Sequence, residues 1–142
     1  MKTLVVLSLF VAGTLAHAES LGDKEYWKKQ QNYIDSALKS ANKACDTQLA
    51  VEWVDRDKFK EESEKAKGSA NGICKSIVDE LGSLCRKGAD EKSAVKAKIT
   101  ALKCGFAKPR TLDLKAGTLT YMGNNEESNF SDFARPWLLK NL

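Results

Sequence analysis

The run Ile73-Cys74-Lys75-Ser76-Ile77-Val78-Asp79-Glu80-Leu81-Gly82-Ser83-Leu84-Cys85 carries apolar residues at 73, 74, 77, 78, 81, 84 and 85. That spacing follows the helical period and predicts an amphipathic helix with a wide buried stripe. Two of the chain's four cysteines lie on it, one at each end. Along a helix they stand about 16 Å apart, whereas a disulfide needs Cα atoms within about 7 Å. Cys74 and Cys85 therefore do not pair with each other while the helix stands. Two pairings remain: Cys45–Cys74 with Cys85–Cys104, or Cys45–Cys85 with Cys74–Cys104. In both, one helix is fastened at each end to a different element. The cysteine spacing has no C-x-x-C knuckle and the one histidine is His17, so a zinc site does not fit.

Upstream of this helix, Asp23 is placed to cap a helix running to about Ala44. Its stripe is Trp27, Ile34, Leu38, Ala41 and Cys45, with Lys28, Lys29, Lys39 and Lys43 facing water. Residues 47–54 switch to period two. Leu49, Val51 and Trp53 point one way and Gln48, Ala50 and Glu52 the other, as in a half-buried strand. Asp55 to Lys67 is dense in alternating charges and is expected as a loop or an exposed helical turn with i,i+4 ion pairs. Gly68 to Gly72 is a break, with Asn71 or Ser69 capping the cysteine helix. Gly88 is placed to end it in the left-handed conformation.

Downstream, a short turn or helix at 89–93 precedes a run from Val95 to Phe106 that alternates with an interrupted phase. A strand with a bulge near Ala101 reconciles the two halves. Thr111–Leu114 and Thr118–Tyr121 flank Lys115-Ala116-Gly117 as a hairpin. A last helix carries Phe130, Phe133, Trp137 and Leu138. Ser128, Asn129 or Ser131 caps it, and Pro136 fits near its first turn or kinks it. The expected fold class is α+β: a small, mostly antiparallel sheet of about four strands with three to four helices packed on it, stapled by disulfides.

The chain opens as an export signal does. Lys2 is a positive n-region, residues 4–12 are apolar, and Ala16-His17-Ala18 has the small-x-small form of a cleavage site. The expected organisation is a signal peptide at 1–18, cut after Ala18, and a single secreted domain at 19–142. The location is periplasmic or extracellular, where cysteines oxidise. In a eukaryotic host, Asn129-Phe130-Ser131 would read as a glycosylation acceptor. The apolar leader is shorter than the roughly 20 residues of a membrane helix, and no membrane span is expected.

Without Lys2 the net charge falls from +4 to +3. Residues 86–115 concentrate the positive charge, with nine Lys and Arg against three Asp and Glu. Lys96, Lys98, Lys108 and Arg110 are candidate contacts for an anionic partner, with Tyr121 and Met122 beside the polar 123–127 loop. A partner protein or an anionic envelope polymer suits this pattern; no motif specifies a nucleic acid.

Removing the leader also removes His17, and with it the Ser-His-Asp and Cys-His mechanisms. No nucleotide or hydrolase fingerprint is present, and neither a cofactor nor a metal is expected. A carboxylate pair is the one catalytic route that survives, with Glu52, Asp55, Asp57, Asp79, Glu80, Glu126 and Glu127 as the acids. The expected function is an exported, disulfide-stabilised binding or inhibitory, immunity-type module without enzymatic activity. The rivals are a carboxylate-only hydrolase or toxin acting on envelope polysaccharide and a self-associating surface protein.

Overall fold

A computed structural model describes residues 19–142; the expected leader lies outside the described residues. The elements run α1 (Leu21–Cys45), β1 (Val51–Trp53), α2 (Arg56–Lys65), α3 (Ala70–Lys87), α4 (Ala89–Lys98), β2 (Ala101–Phe106), β3 (Thr111–Lys115), β4 (Thr118–Gly123) and α5 (Phe130–Asn141). The α+β class holds. Two finer expectations are corrected: the described residues form five helices rather than three to four, and the sheet is mixed rather than mostly antiparallel.

The sheet order is β1-β2-β4-β3. β1 and β2 pair in parallel, as do β2 and β4, and only β3 and β4 are antiparallel. Three helices separate β1 from β2, a crossover that returns the chain to its starting end and makes the two strands parallel. The β3–β4 hairpin forms as expected, but β4 rather than β3 docks on β2. Consecutive strands β2 and β3 still run in opposite directions, and β4 lies between them.

The helices beyond the expected count fall on stretches read in part: 55–67, expected as a loop or exposed helical turn, forms α2 with the Glu61–Lys65 i,i+4 pair, and the short turn or helix expected at 89–93 runs on to Lys98 as α4. Val95 and Ile99 alternate with lysines as in a strand, yet they also stand four apart. On α4 and its cap both are buried, while Lys96, Ala97 and Lys98 are exposed. The phase break at Ala101 is the handover from helix to strand, not a bulge. In α2, Phe59 and Ser63 are likewise four apart and buried, and the charges cover the rest. The strand expected at 47–54 shortens to three residues. Leu49 keeps its buried side chain, but its backbone N–H and C=O bond to the Asn42 side chain at 2.8 Å each instead of a ladder.

Caps shift as well. Ser20, not Asp23, caps α1, accepting from the Asp23 N–H at 3.1 Å. Ser69 caps α3. Gly88 is extended, φ −153°, and serves both as the end of α3 and as the start of α4. Pro136 lies inside α5, beyond its first turn.

Helix α3 is the pivot of the core and touches α1, α2, α4, α5, β2 and β4. Its stripe at 73, 74, 77, 78, 81, 84 and 85 is buried throughout. Gly82 lets α1 come close: a Cβ there would stand 3.2 Å from the Ala41 Cα. The disulfides are Cys45–Cys85, with Cα atoms 5.0 Å apart, and Cys74–Cys104, at 5.9 Å. One end of α3 is thus bound to α1 and the other to β2. Of the two open pairings this is the second, and Cys74 and Cys85 are not joined. Two disulfides and no free cysteine among the described residues suit an oxidising compartment. No described helix is long and apolar enough to cross a membrane.

Val51, Trp53, Leu102, Cys104, Leu119 and Tyr121 are buried on the helix side of the sheet. On the other side, register aligns Glu52, Lys103, Thr120 and Asp113 in one polar row across all four strands.

Candidate functional site

Helix α4 and the strands divide the basic 86–115 stretch. Lys96 and Lys98 precede β2 and Lys108 and Arg110 follow it, so six strand residues, about 20 Å, lie between the pairs. Each cation has an internal partner. Lys96 meets Asp46, whose carboxyl it holds below the usual range. Lys98 donates to the Asn141 carbonyl at 3.3 Å. Lys108 pairs with Glu126, which raises the lysine's pKa. Arg110 lies 3.4 Å from Glu127, donates to the Ser128 carbonyl at 2.8 Å and covers the Phe133 ring at 4.5 Å. Tyr121 is buried and meets Phe130 edge-on at 5.0 Å. Met122 points to the other face of β4, over Gly105.

Two concave regions gather chemistry instead. One, of about 410 Å³, runs between α3 and α5. Ser76, Asp79, Glu80, Ser83 and Arg86 supply it from one polar stripe of α3; Ser131 and Arg135 supply it from α5. Glu80 is 4% exposed. Its Oε1 accepts from Arg135 Nε and its Oε2 from Ser131 Oγ, both at 2.7 Å. Arg135 also reaches Ser83 Oγ at 3.4 Å. Asp79 pairs with Lys75. Opposite charges balance in this cleft, and its buried carboxylate is already engaged on both oxygens. It joins α5 to α3.

The other region, of about 260 Å³, is a basin where the start of α1, the end of β1 and the start of α2 meet. Lys24, Trp27, Lys28 and Gln31 fall at helical spacing on one side of α1, and Trp53 and Arg56 close the basin from β1 and α2. The two indoles are 4% and 8% exposed, their centroids 5.2 Å apart, so they form a nearly buried floor. Gln31 Oε1 accepts from Trp53 Nε1 at 2.8 Å and sets that ring's orientation. The Arg56 guanidinium is 5.5 Å from the Trp27 ring centre. Phe59 and Tyr26 back the floor from below.

Among the described residues, three cations thus rim the basin and Glu19 is its single carboxylate. Arg56 Nη1 lies 3.3 Å from Glu19 Oε1. Lys24 and Lys28 have no ion-pair partner among the described residues. None of these residues was expected as a site; the i, i+3, i+4, i+7 spacing of Lys24, Trp27, Lys28 and Gln31 is the one local signal that could have marked its α1 half. The half from Trp53 and Arg56 had no local signal. Among the described residues no group of three His, Cys, Asp or Glu is placed to hold a metal.

A scan against protein-family models found no match for this chain, and searches of curated proteins and of solved structures found none either. The functional reading therefore rests on the site alone.

Proposed function

We propose that this chain is an exported binding or inhibitory module without enzymatic activity, released to the periplasm or the outside by cleavage after Ala18, and that it takes an anionic partner. The carrying observation is the basin: three cations converge over a rigid tryptophan floor with one carboxylate to offset them. The expected candidates Lys96, Lys98, Lys108 and Arg110 add general positive charge that steers an anion toward the molecule. They stand in two pairs about 20 Å apart with no shared basin between them, so they contribute to encounter more than to contact. The disulfides support the reading by holding α1, α3 and β2 together, which lowers the ordering cost of binding. An anionic envelope polymer suits the small basin better than a protein does, because one charged repeat unit fills it.

The hydrolase reading draws on Asp79 and Glu80 sharing one cleft. It is the weaker one, because both Glu80 oxygens accept from fixed donors and neither is directed at a substrate.

The test expresses the full chain in an exporting host. Sequencing of the recovered protein should begin at Glu19, and the protein should bind polygalacturonate with an affinity that falls steeply with salt, without shortening the polymer. Recovery in the cytosol with Met1 in place and four titratable thiols, or no polymer binding at low salt, refutes the reading.

A further inference from the structure

The Glu19 carboxylate sits where a ligand's carboxylate would sit. It touches Arg56 through one nitrogen at 3.3 Å, end-on, and both side chains remain substantially exposed at 34% and 48%. Guanidinium groups bind carboxylates best through two parallel contacts, so Arg56 keeps unused donors. Lys24 and Lys28, one turn apart on α1, line the same basin. Exposed single-contact ion pairs contribute little, so Glu19 is easily displaced. Beneath the charges, Trp27 and Trp53, which line the basin and are nearly buried, provide a narrow apolar floor for a ring. The volume, about 260 Å³, lies just below the range of drug-sized pockets, so it takes one ring rather than a chain.

We infer that the basin is a carboxylate site for one uronic-acid unit of an acidic polysaccharide, and that Glu19 is its internal occupant, exchanged for the ligand on binding. This rests on the proposed function and deepens it by naming the ligand class and the residues that hold it. The ligand carboxylate bonds to Arg56, Lys28 approaches from the side, and the Glu19 side chain swings into solvent. Uronate and inorganic anions share charge but not the ring, so the floor is what discriminates between them.

The test is a tryptophan-fluorescence titration of the purified protein with digalacturonate, with inorganic phosphate and neutral digalactoside as comparison arms. Digalacturonate should give a saturable change, about three-fold tighter in Glu19→Ser, which keeps the free amino terminus of the cleaved protein, as expected for loss of a weak competitor. It should weaken at least about ten-fold in Arg56→Gln, as for loss of a charged bidentate contact. Lys28→Gln should weaken it less. Thermal melts of each variant, and calorimetry in parallel with fluorescence, separate lost binding from lost folding. Equal titration by phosphate or digalactoside, unchanged binding in a folded Arg56→Gln, or no gain in a folded Glu19→Ser overturns the inference. If the wild type and Arg56→Gln bind polygalacturonate equally, this site falls while the binding function stands. If no form binds the polymer, the function itself falls.

Discussion

Tyr121 shows what burial does to one side chain. Desolvation pushes its phenol up to about 12, with the Arg110 charge pulling it down and Glu127 pushing it up. A folded pKa above the unfolded value, about 10, means the native state holds the proton more tightly. Its contribution is complete below pH 10 and is lost between about 10 and 12. Alkaline titration followed by phenolate absorbance should show a late step near pH 12 that Tyr121→Phe removes. Glu80 is the other decisive residue, as an acid on α3 with no local sign that α5 would cover it. Glu80→Ala removes the hydrogen bonds to Arg135 and Ser131 and should cost about 2 kcal/mol in urea unfolding, less than for a fully buried pair because Arg135 is partly exposed. Arg135→Ala added to it should cost little more, because the pair acts as one unit.

Helices α2 and α3 differ in how they are held. α3 is bound through Cys74 and Cys85 and through the close approach of Gly82 to Ala41. Gly82→Leu has no room at that crossing and should cost about 2 kcal/mol, read as a lower melting temperature with the same helical circular dichroism. Replacing Cys45 and Cys85 together by alanine opens a 40-residue separation and should cost about 4 kcal/mol on the chain-entropy account. Peptide mapping without reductant should return Cys45–Cys85 and Cys74–Cys104 alone. α2 is tied by Phe59 and, at the surface, by Lys60 to Asp23 of α1 at 2.7 Å. The bond from Lys60, then that from Ser20, lowers the Asp23 pKa, and Asp23 raises that of Lys60. For a depressed carboxyl the contribution is present above the unfolded pKa, about 3.9, and is lost as pH falls through the folded value. Protection factors in α2, with the intrinsic pH dependence of amide exchange divided out, should therefore fall on acidification below pH 4, and Asp23→Asn should make that fall smaller. Of these elements α3 was readable, since its stripe is long and unbroken. α4 was not, because a short run with apolar residues at 95, 97, 99 and 101 satisfies both periods over its few turns.

Taken whole, the molecule concentrates its cross-links on α3, the element with most neighbours, and its buried side chains on α3 and α1. Native-state exchange should be slowest there and fastest in α2; uniform exchange across the chain would contradict this organisation. The local periods in the amino-acid sequence were enough for the α+β class, the cysteine helix, the β3–β4 hairpin and the exclusion of a Cys74–Cys85 bond, because each depends on distances along one element. The disulfide partners, the insertion of β4 beside β2, the burial of Glu80 and the meeting of Lys24 and Lys28 with Trp53 and Arg56 were decided by tertiary structure. Each joins residues far apart in the chain, and which surfaces meet depends on the packing free energy of the whole core rather than on any local preference.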